Sequence, residues 1–155
     1  MDYEALLIAS DRLGLAVKEK PLQAHDGRIH GKRIAIREDL ETSTQKACVL
    51  AEELGHYHTS SGDILDQSAV LNRKQEQRAR LWAYDQYIGF GGIIRAYEHG
   101  CQSLYETAEY LGVTENFLAD AIQKYRKKYG FCIQYSEYII SFVNGVQVGK
   151  IINFF

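Results

Sequence analysis

The sequence is poor in the residues that would cross-link the chain or carry it into a membrane. It has one proline and three cysteines in 155 residues, and no run approaches the roughly 18 consecutive apolar residues of a membrane-spanning helix. Cys48, Cys101 and Cys132 are odd in number, widely spaced and free of any C-x-x-C pair. They predict neither a disulfide framework nor a cysteine zinc site, and a reducing cytoplasm fits them best.

The sequence also lacks a large excess of either charge, with 18 basic and 20 acidic residues. The formal net charge is −2, which lacks the strongly basic balance typical of proteins that bind nucleic acid. The amino terminus carries Asp2 and Glu4 where a secretory signal would have basic residues. We therefore expect a cytoplasmic protein with no membrane partner and no direct contact with nucleic acid.

The length of the chain suits one compact domain. A domain of this size buries a hydrophobic core without needing a structural metal, so any bound metal could serve catalysis. No internal repeat, low-complexity tract or linker interrupts the sequence. We predict a single domain over residues 1–155, with the candidate site in 1–100 and a C-terminal helical and hairpin part in 101–155.

Apolar spacing and turn residues predict an α+β fold that is mainly helical. A small β hairpin precedes the helix of interest, and a helix pair followed by a hairpin ends the chain. "GFGG" at 89–92 should stop or kink the third predicted helix, and the loop formers at 60–63 should end the second. The predicted helices cover about 3–17, 42–58, 72–88, 103–111 and 114–128, and the hairpins lie at 27–37 and around Asn144-Gly145.

The second predicted helix carries "VLAEELGHYHTSSGDI", residues 49–64, which matches H-E-x-x-H with a glutamate in the first position. With about 3.6 residues per turn, Glu52 and His56 share one face and could bind the same ion. In H-E-x-x-H enzymes these two positions hold zinc, and the glutamate between them takes a proton from the metal-bound water. The matching base here is Glu53. A carboxylate in the first position is compatible with zinc and would also suit manganese.

A third ligand would come from the next helix. Glu76 lies there on the same stripe as Ala79 and Ala83, and a carboxylate buried on an apolar stripe needs a partner. Asp85 falls on the opposite side of that helix and is a poorer candidate. His58 and His30 remain open as further ligands.

The alternative is an ordinary solvent-facing helix, on which paired glutamates only favour helix formation and solubility. Gly55 argues against it, because glycine in a helix interior costs about 1 kcal/mol relative to alanine. We interpret this glycine as a point of close approach by another element.

These segments resemble the ImmA/IrrE family of metallo-endopeptidases, in the form found in prophages and mobile elements of Gram-positive bacteria. The likeness covers "KACVLAEELGHYHTSSGDI", "QEQRARLWAYDQYI" and, less specifically, "ETAEYLGVTENFLADAIQKYRKKYG". The family pattern H-E-L-G-H falls on residues 52–56, and E-x-x-A-x-x-F-A falls on 76–83 with tryptophan for phenylalanine. The resemblance implies a zincin-like fold, metal ligands at Glu52, His56 and Glu76, and Glu53 as general base.

The resemblance also implies a partner. Members of the family relieve repression by cleaving or inactivating a helix-turn-helix repressor, so the expected substrate is such a repressor of a prophage or mobile element. A second hypothesis keeps the fold and the repressor but not the cleavage, with Glu52 as the mark of a lost site. A third treats 103–128 as a DNA-binding helix-turn-helix, although Glu115 and Asp120 would repel phosphates there.

Overall fold

A computed structural model describes residues 1–60 and 69–152, except for the side chains of residues 69–71. The predicted loop at 60–63 therefore lies outside the described residues from position 61 onward. The chain divides into two compact units, Met1–Gln86 and Tyr87–Phe155, and the predicted single domain stays a prediction.

The helices are α1 (Tyr3–Arg12), α2 (Ser43–Thr59), α3 (Ala69–Tyr87), α4 (Gly89–His99), α5 (Leu104–Leu111) and α6 (Glu115–Tyr129). The strands are β1 (Ala16–Lys20), β2 (Gly27–His30), β3 (Arg33–Arg37), β4 (Cys132–Tyr135), β5 (Tyr138–Ser141) and β6 (Gln147–Lys150).

The fold class is α+β and mainly helical, as predicted. None of the helices in the described ranges is both long enough and apolar enough to cross a membrane.

The first unit contains a three-stranded sheet in the order β1-β3-β2. β2 and β3 form the predicted antiparallel hairpin, and Gly31 takes a positive φ of 60° at its turn, a conformation that glycine adopts without strain. Ile34 and Ile36 on β3 are buried, and α2 packs against both hairpin strands. α2 thus packs on one face of this sheet.

The prediction for the first helix is wrong at its C-terminal end. α1 stops at Arg12 rather than near Val17, because Gly14 takes a left-handed φ of 75° that the helix cannot continue through. The following "AVKEK" forms β1, parallel to β3. Long-range pairing with β3 overrides a helical pattern that looked continuous in the sequence.

α2 begins as predicted. The Thr42 hydroxyl accepts a hydrogen bond from the Gln45 backbone N–H, and the Gln45 side chain accepts one from the Thr42 backbone. This capping box satisfies two of the donors that a helix start leaves unpaired. The apolar stripe is buried as expected, with Leu50, Ala51 and Leu54 almost fully covered.

At Gly55 the backbone of α3 approaches α2 closely. A Cβ built at position 55 would collide with the Ala79 carbonyl oxygen and lie 2.8 Å from its carbonyl carbon. Ala79 and Ala83 are fully buried, so small residues on both helices permit the contact. The predicted close approach at Gly55 is confirmed.

The second unit contains α4 to α6 and the antiparallel sheet β4-β5-β6. α4 was not predicted. Gly89 has a φ of 59° and ends α3 as expected, but the chain resumes helical structure at once. Ser103 and Thr114 cap α5 and α6 as predicted, and Gly145 turns the C-terminal hairpin with a φ of 75°.

Replacing Gly55 with alanine should destabilise the protein by about 1–3 kcal/mol, the usual range for overpacking, because the obstructing atoms belong to the backbone. Gly91→Ala is the matched control, since a Cβ there meets only the guanidinium end of Arg95, at 3.2 Å. Urea unfolding followed by circular dichroism measures both. Equal unfolding free energies for the two variants would contradict the close approach.

Candidate functional site

α2 directs its three site residues in two directions. Glu52 and His56 are one turn apart and face α3, while Glu53 faces the sheet. Glu53 is buried, with 8% of its surface exposed, and a Cβ at Gly27 would lie 2.8 Å from its Oε1 atom. The backbone of β2 therefore covers the Glu53 side chain, which is possible because position 27 has no side chain.

His56 meets Glu76 across the two helices. Its Nε2 atom lies 3.0 Å from Oε2 of Glu76 and donates a hydrogen bond to it. This bond raises the pKa of His56 and lowers that of Glu76, because each charged form stabilises the other. The sequence placed these residues on separate helices, and the structure brings them into direct contact.

Arg80 continues the same chain of contacts. One turn after Glu76 on α3, its Nε atom lies 3.1 Å from Oε1 of Glu76 and 3.8 Å from Oε2 of Glu52. The guanidinium thus stands between two of the three predicted metal ligands. It supplies a positive charge that the sequence analysis did not place among Glu52, His56 and Glu76.

Burial raises the pKa of Glu53 to about 7. The nearby positive charge of His56 opposes this rise, and the negative charges of Glu52 and Glu76 add to it. A carboxyl group with such a pKa exchanges protons near neutral pH, as a general base must. Removal from water is the main cause, so the covering strand β2 contributes directly to the chemistry of this group.

The donor types at the site fit a divalent cation, but they do not converge as a finished ligand set. Among residues 1–60 and 69–152, no three His, Cys, Asp or Glu side chains form a group that could hold a metal. His56 and Glu76 stand together and offer a nitrogen and an oxygen donor, whereas Glu52 is paired with Arg80. Binding a cation at these residues would require His56 to release the proton that it donates to Glu76, and Glu52 to turn away from Arg80.

The remaining candidates lie elsewhere. The His58 ring stacks on Trp82, with centroids 4.4 Å apart, and His30 is exposed at the end of β2, opposite Arg33. Asp85 is exposed on α3.

Sequence reasoning missed Arg80 and Gly27. Arg80 had a usable signal, since a residue four positions after Glu76 lies beside it on a helix. Gly27 had none, because nothing local in the sequence shows that its strand covers Glu53.

Two comparisons with known proteins find nothing, and one finds a family. The model of the peptidase M78 family, described as an IrrE N-terminal-like domain, matches residues 10–123. The match includes α2, α3 and every site residue discussed above. No curated protein and no solved structure matches the chain.

The raised pKa of Glu53 predicts how pH changes stability. Between about pH 4.5 and 7 the folded protein holds a proton on Glu53 that the unfolded chain has released, so folding is progressively penalised as pH rises through this window. Glu53→Gln removes that penalty. From pH 5 to pH 8, its unfolding free energy should rise relative to wild type by an amount on the order of 3 kcal/mol.

Urea unfolding with a metal chelator present measures this change. Glu41→Gln makes the same chemical replacement at an exposed position and should show no such trend. A difference between Glu53→Gln and wild type that stays constant from pH 5 to pH 8 would contradict the raised pKa.

Proposed function

The chain belongs to the IrrE N-terminal-like metallopeptidase family, and from that premise we propose that it is a metal-dependent endopeptidase that inactivates a helix-turn-helix repressor. The observation that carries this proposal is the pairing of His56 with Glu76 beside the buried carboxyl of Glu53. These three groups combine metal donors and a base on two packed helices.

His56, Glu76 and Glu52 would hold the cation, with zinc expected and manganese as the other candidate. A divalent cation supplies Lewis-acid polarisation of the scissile carbonyl and of the attacking water. The contribution of the protein itself is the proton transfer. Glu53 accepts the proton of the water and delivers it to the leaving amine, and its covered position keeps bulk solvent away from that step.

The proposed substrate is a phage-type repressor, whose inactivation would relieve repression of a prophage or mobile element. Recognition of one protein partner requires a docking surface in addition to a cleft. The C-terminal third is rich in tyrosine: Tyr105, Tyr110, Tyr129 and Tyr135 are exposed, whereas Tyr125 and Tyr138 are buried in the second unit. The exposed tyrosines are available for such a contact.

A second candidate function is repressor binding without cleavage. One observation favours it: Arg80 stands between Glu52 and Glu76, which offsets part of their negative charge without a metal. A protein that had lost its metal could keep the fold in this way. The two functions differ in a single measurable respect, which is whether a peptide bond of the repressor is cut.

Replacing Glu53 with glutamine separates the two. Without a base, we expect repressor cleavage to fall at least about a hundredfold, the lower end of what general-base catalysis contributes, while binding of the repressor is kept. The assay incubates purified protein with the proposed substrate, a phage-type helix-turn-helix repressor, and follows intact repressor by mass spectrometry. Binding is measured in parallel by pull-down.

Glu41→Gln is the control and should cleave as wild type does. Repressor inactivation that is unchanged in Glu53→Gln would contradict the endopeptidase proposal and support binding alone. Loss of both binding and cleavage would show a folding defect, which the unfolding curve of the same sample identifies.

A further inference from the structure

The four charged side chains between α2 and α3 form a continuous series. His56 contacts one carboxylate oxygen of Glu76, Arg80 contacts the other, and Arg80 also pairs with Glu52. Both carboxylates proposed as metal ligands therefore share one guanidinium. Arg80, together with His56 on Glu76, offsets part of their negative charge.

The guanidinium can pair with these carboxylates in place of a metal ion. It keeps its positive charge at any physiological pH and presents several N–H donors to carboxylate oxygens. Without it, Glu52 and Glu76 would lose a positively charged partner in a region that also holds buried Glu53, and like charges close together disfavour the folded state. Arg80 thus stabilises a protein that carries no metal.

The same contacts oppose metal binding. Arg80 occupies one oxygen of each carboxylate and holds both beside its guanidinium, so a divalent cation that used Glu52 and Glu76 would compete with it for the same two side chains. The Arg80 side chain is 46% exposed and sits on a flexible stem, so it can move into solvent when a cation arrives. Partly exposed ion pairs contribute little, so this competition should lower metal affinity only modestly.

We propose that Arg80 is a built-in competitor of the divalent cation, pairing with Glu52 and Glu76 in the metal-free protein and leaving them when the cation binds. This inference rests on one part of the proposed function, the assignment of Glu52 and Glu76 as metal ligands, and does not require that the protein cleaves a repressor. It explains how a glutamate is accommodated where the family pattern has histidine, since the extra negative charge has a cation of its own. It also predicts that one substitution moves stability and metal affinity in opposite directions.

Arg80→Gln tests this directly, with Arg78→Gln as the matched control. Arg78 lies on the same helix and is exposed, so both variants change the net charge equally. Isothermal titration of chelator-treated full-length protein with zinc, and separately with manganese, gives the affinities. We expect Arg80→Gln to bind about fivefold more tightly than wild type, with Arg78→Gln within twofold of wild type.

Thermal unfolding of the metal-free proteins provides a second readout. The midpoint of Arg80→Gln should fall below that of wild type and of Arg78→Gln, because Glu52 and Glu76 lose their shared cation. Arg80→Lys keeps the charge and should restore most of the midpoint. This arm requires neither a bound metal nor an active enzyme.

The outcomes are distinct. Equal affinities of Arg80→Gln and Arg78→Gln, or weaker binding by Arg80→Gln, would overturn the inference and leave the proposed metal site intact. Failure of every variant to bind either cation would overturn both the inference and the metal-dependent function. Tighter binding by Arg80→Gln in a protein that never cleaves a repressor would support the inference and remove the proposed function.

Discussion

The contact between the backbones of α2 and α3 at Gly55 and Ala79 is the constraint on which the candidate site depends. Because position 55 lacks a Cβ, the helices lie close enough for His56 to reach Glu76 at 3.0 Å. A side chain there would meet a carbonyl group of the facing helix, which cannot move without disturbing α3. The packing of small residues thus fixes the distance between donors that the sequence separates by twenty positions.

Charge balance is the second constraint, and it follows from the first. Bringing α2 and α3 together gathers three glutamates, which His56 and Arg80 partly neutralise. The pKa of His56 is raised in the folded protein, so its contribution to stability is fully present at a pH below the pKa of the unfolded chain. This contribution is lost as the pH rises through the pKa of the folded protein. The pKa of Glu76 is lowered in the folded protein, so its contribution to stability is fully present at a pH above the pKa of the unfolded chain. This contribution is lost as the pH falls through the pKa of the folded protein. Their pairing is therefore strongest in mildly acidic solution.

Much of this site could be predicted from local patterns. The capping box at Thr42 marks the start of α2, and helical spacing places Glu52 and His56 on one face. Long-range pairing could not be predicted, so the helical pattern at 3–17 concealed the strand β1. The same limit hid the covering of Glu53 by Gly27. The role of Arg80 depends on the approach of α2, which spacing along α3 does not show.

The most direct test of this account is the pKa of the His56 imidazole in metal-free protein, followed by nuclear magnetic resonance, in wild type and in Glu76→Gln. Contact with the Glu76 carboxylate should hold the wild-type pKa above the usual histidine value of about 6.5. Removal of that carboxylate's charge should lower it. The same His56 pKa in both proteins would contradict the contact between α2 and α3 on which the site is built.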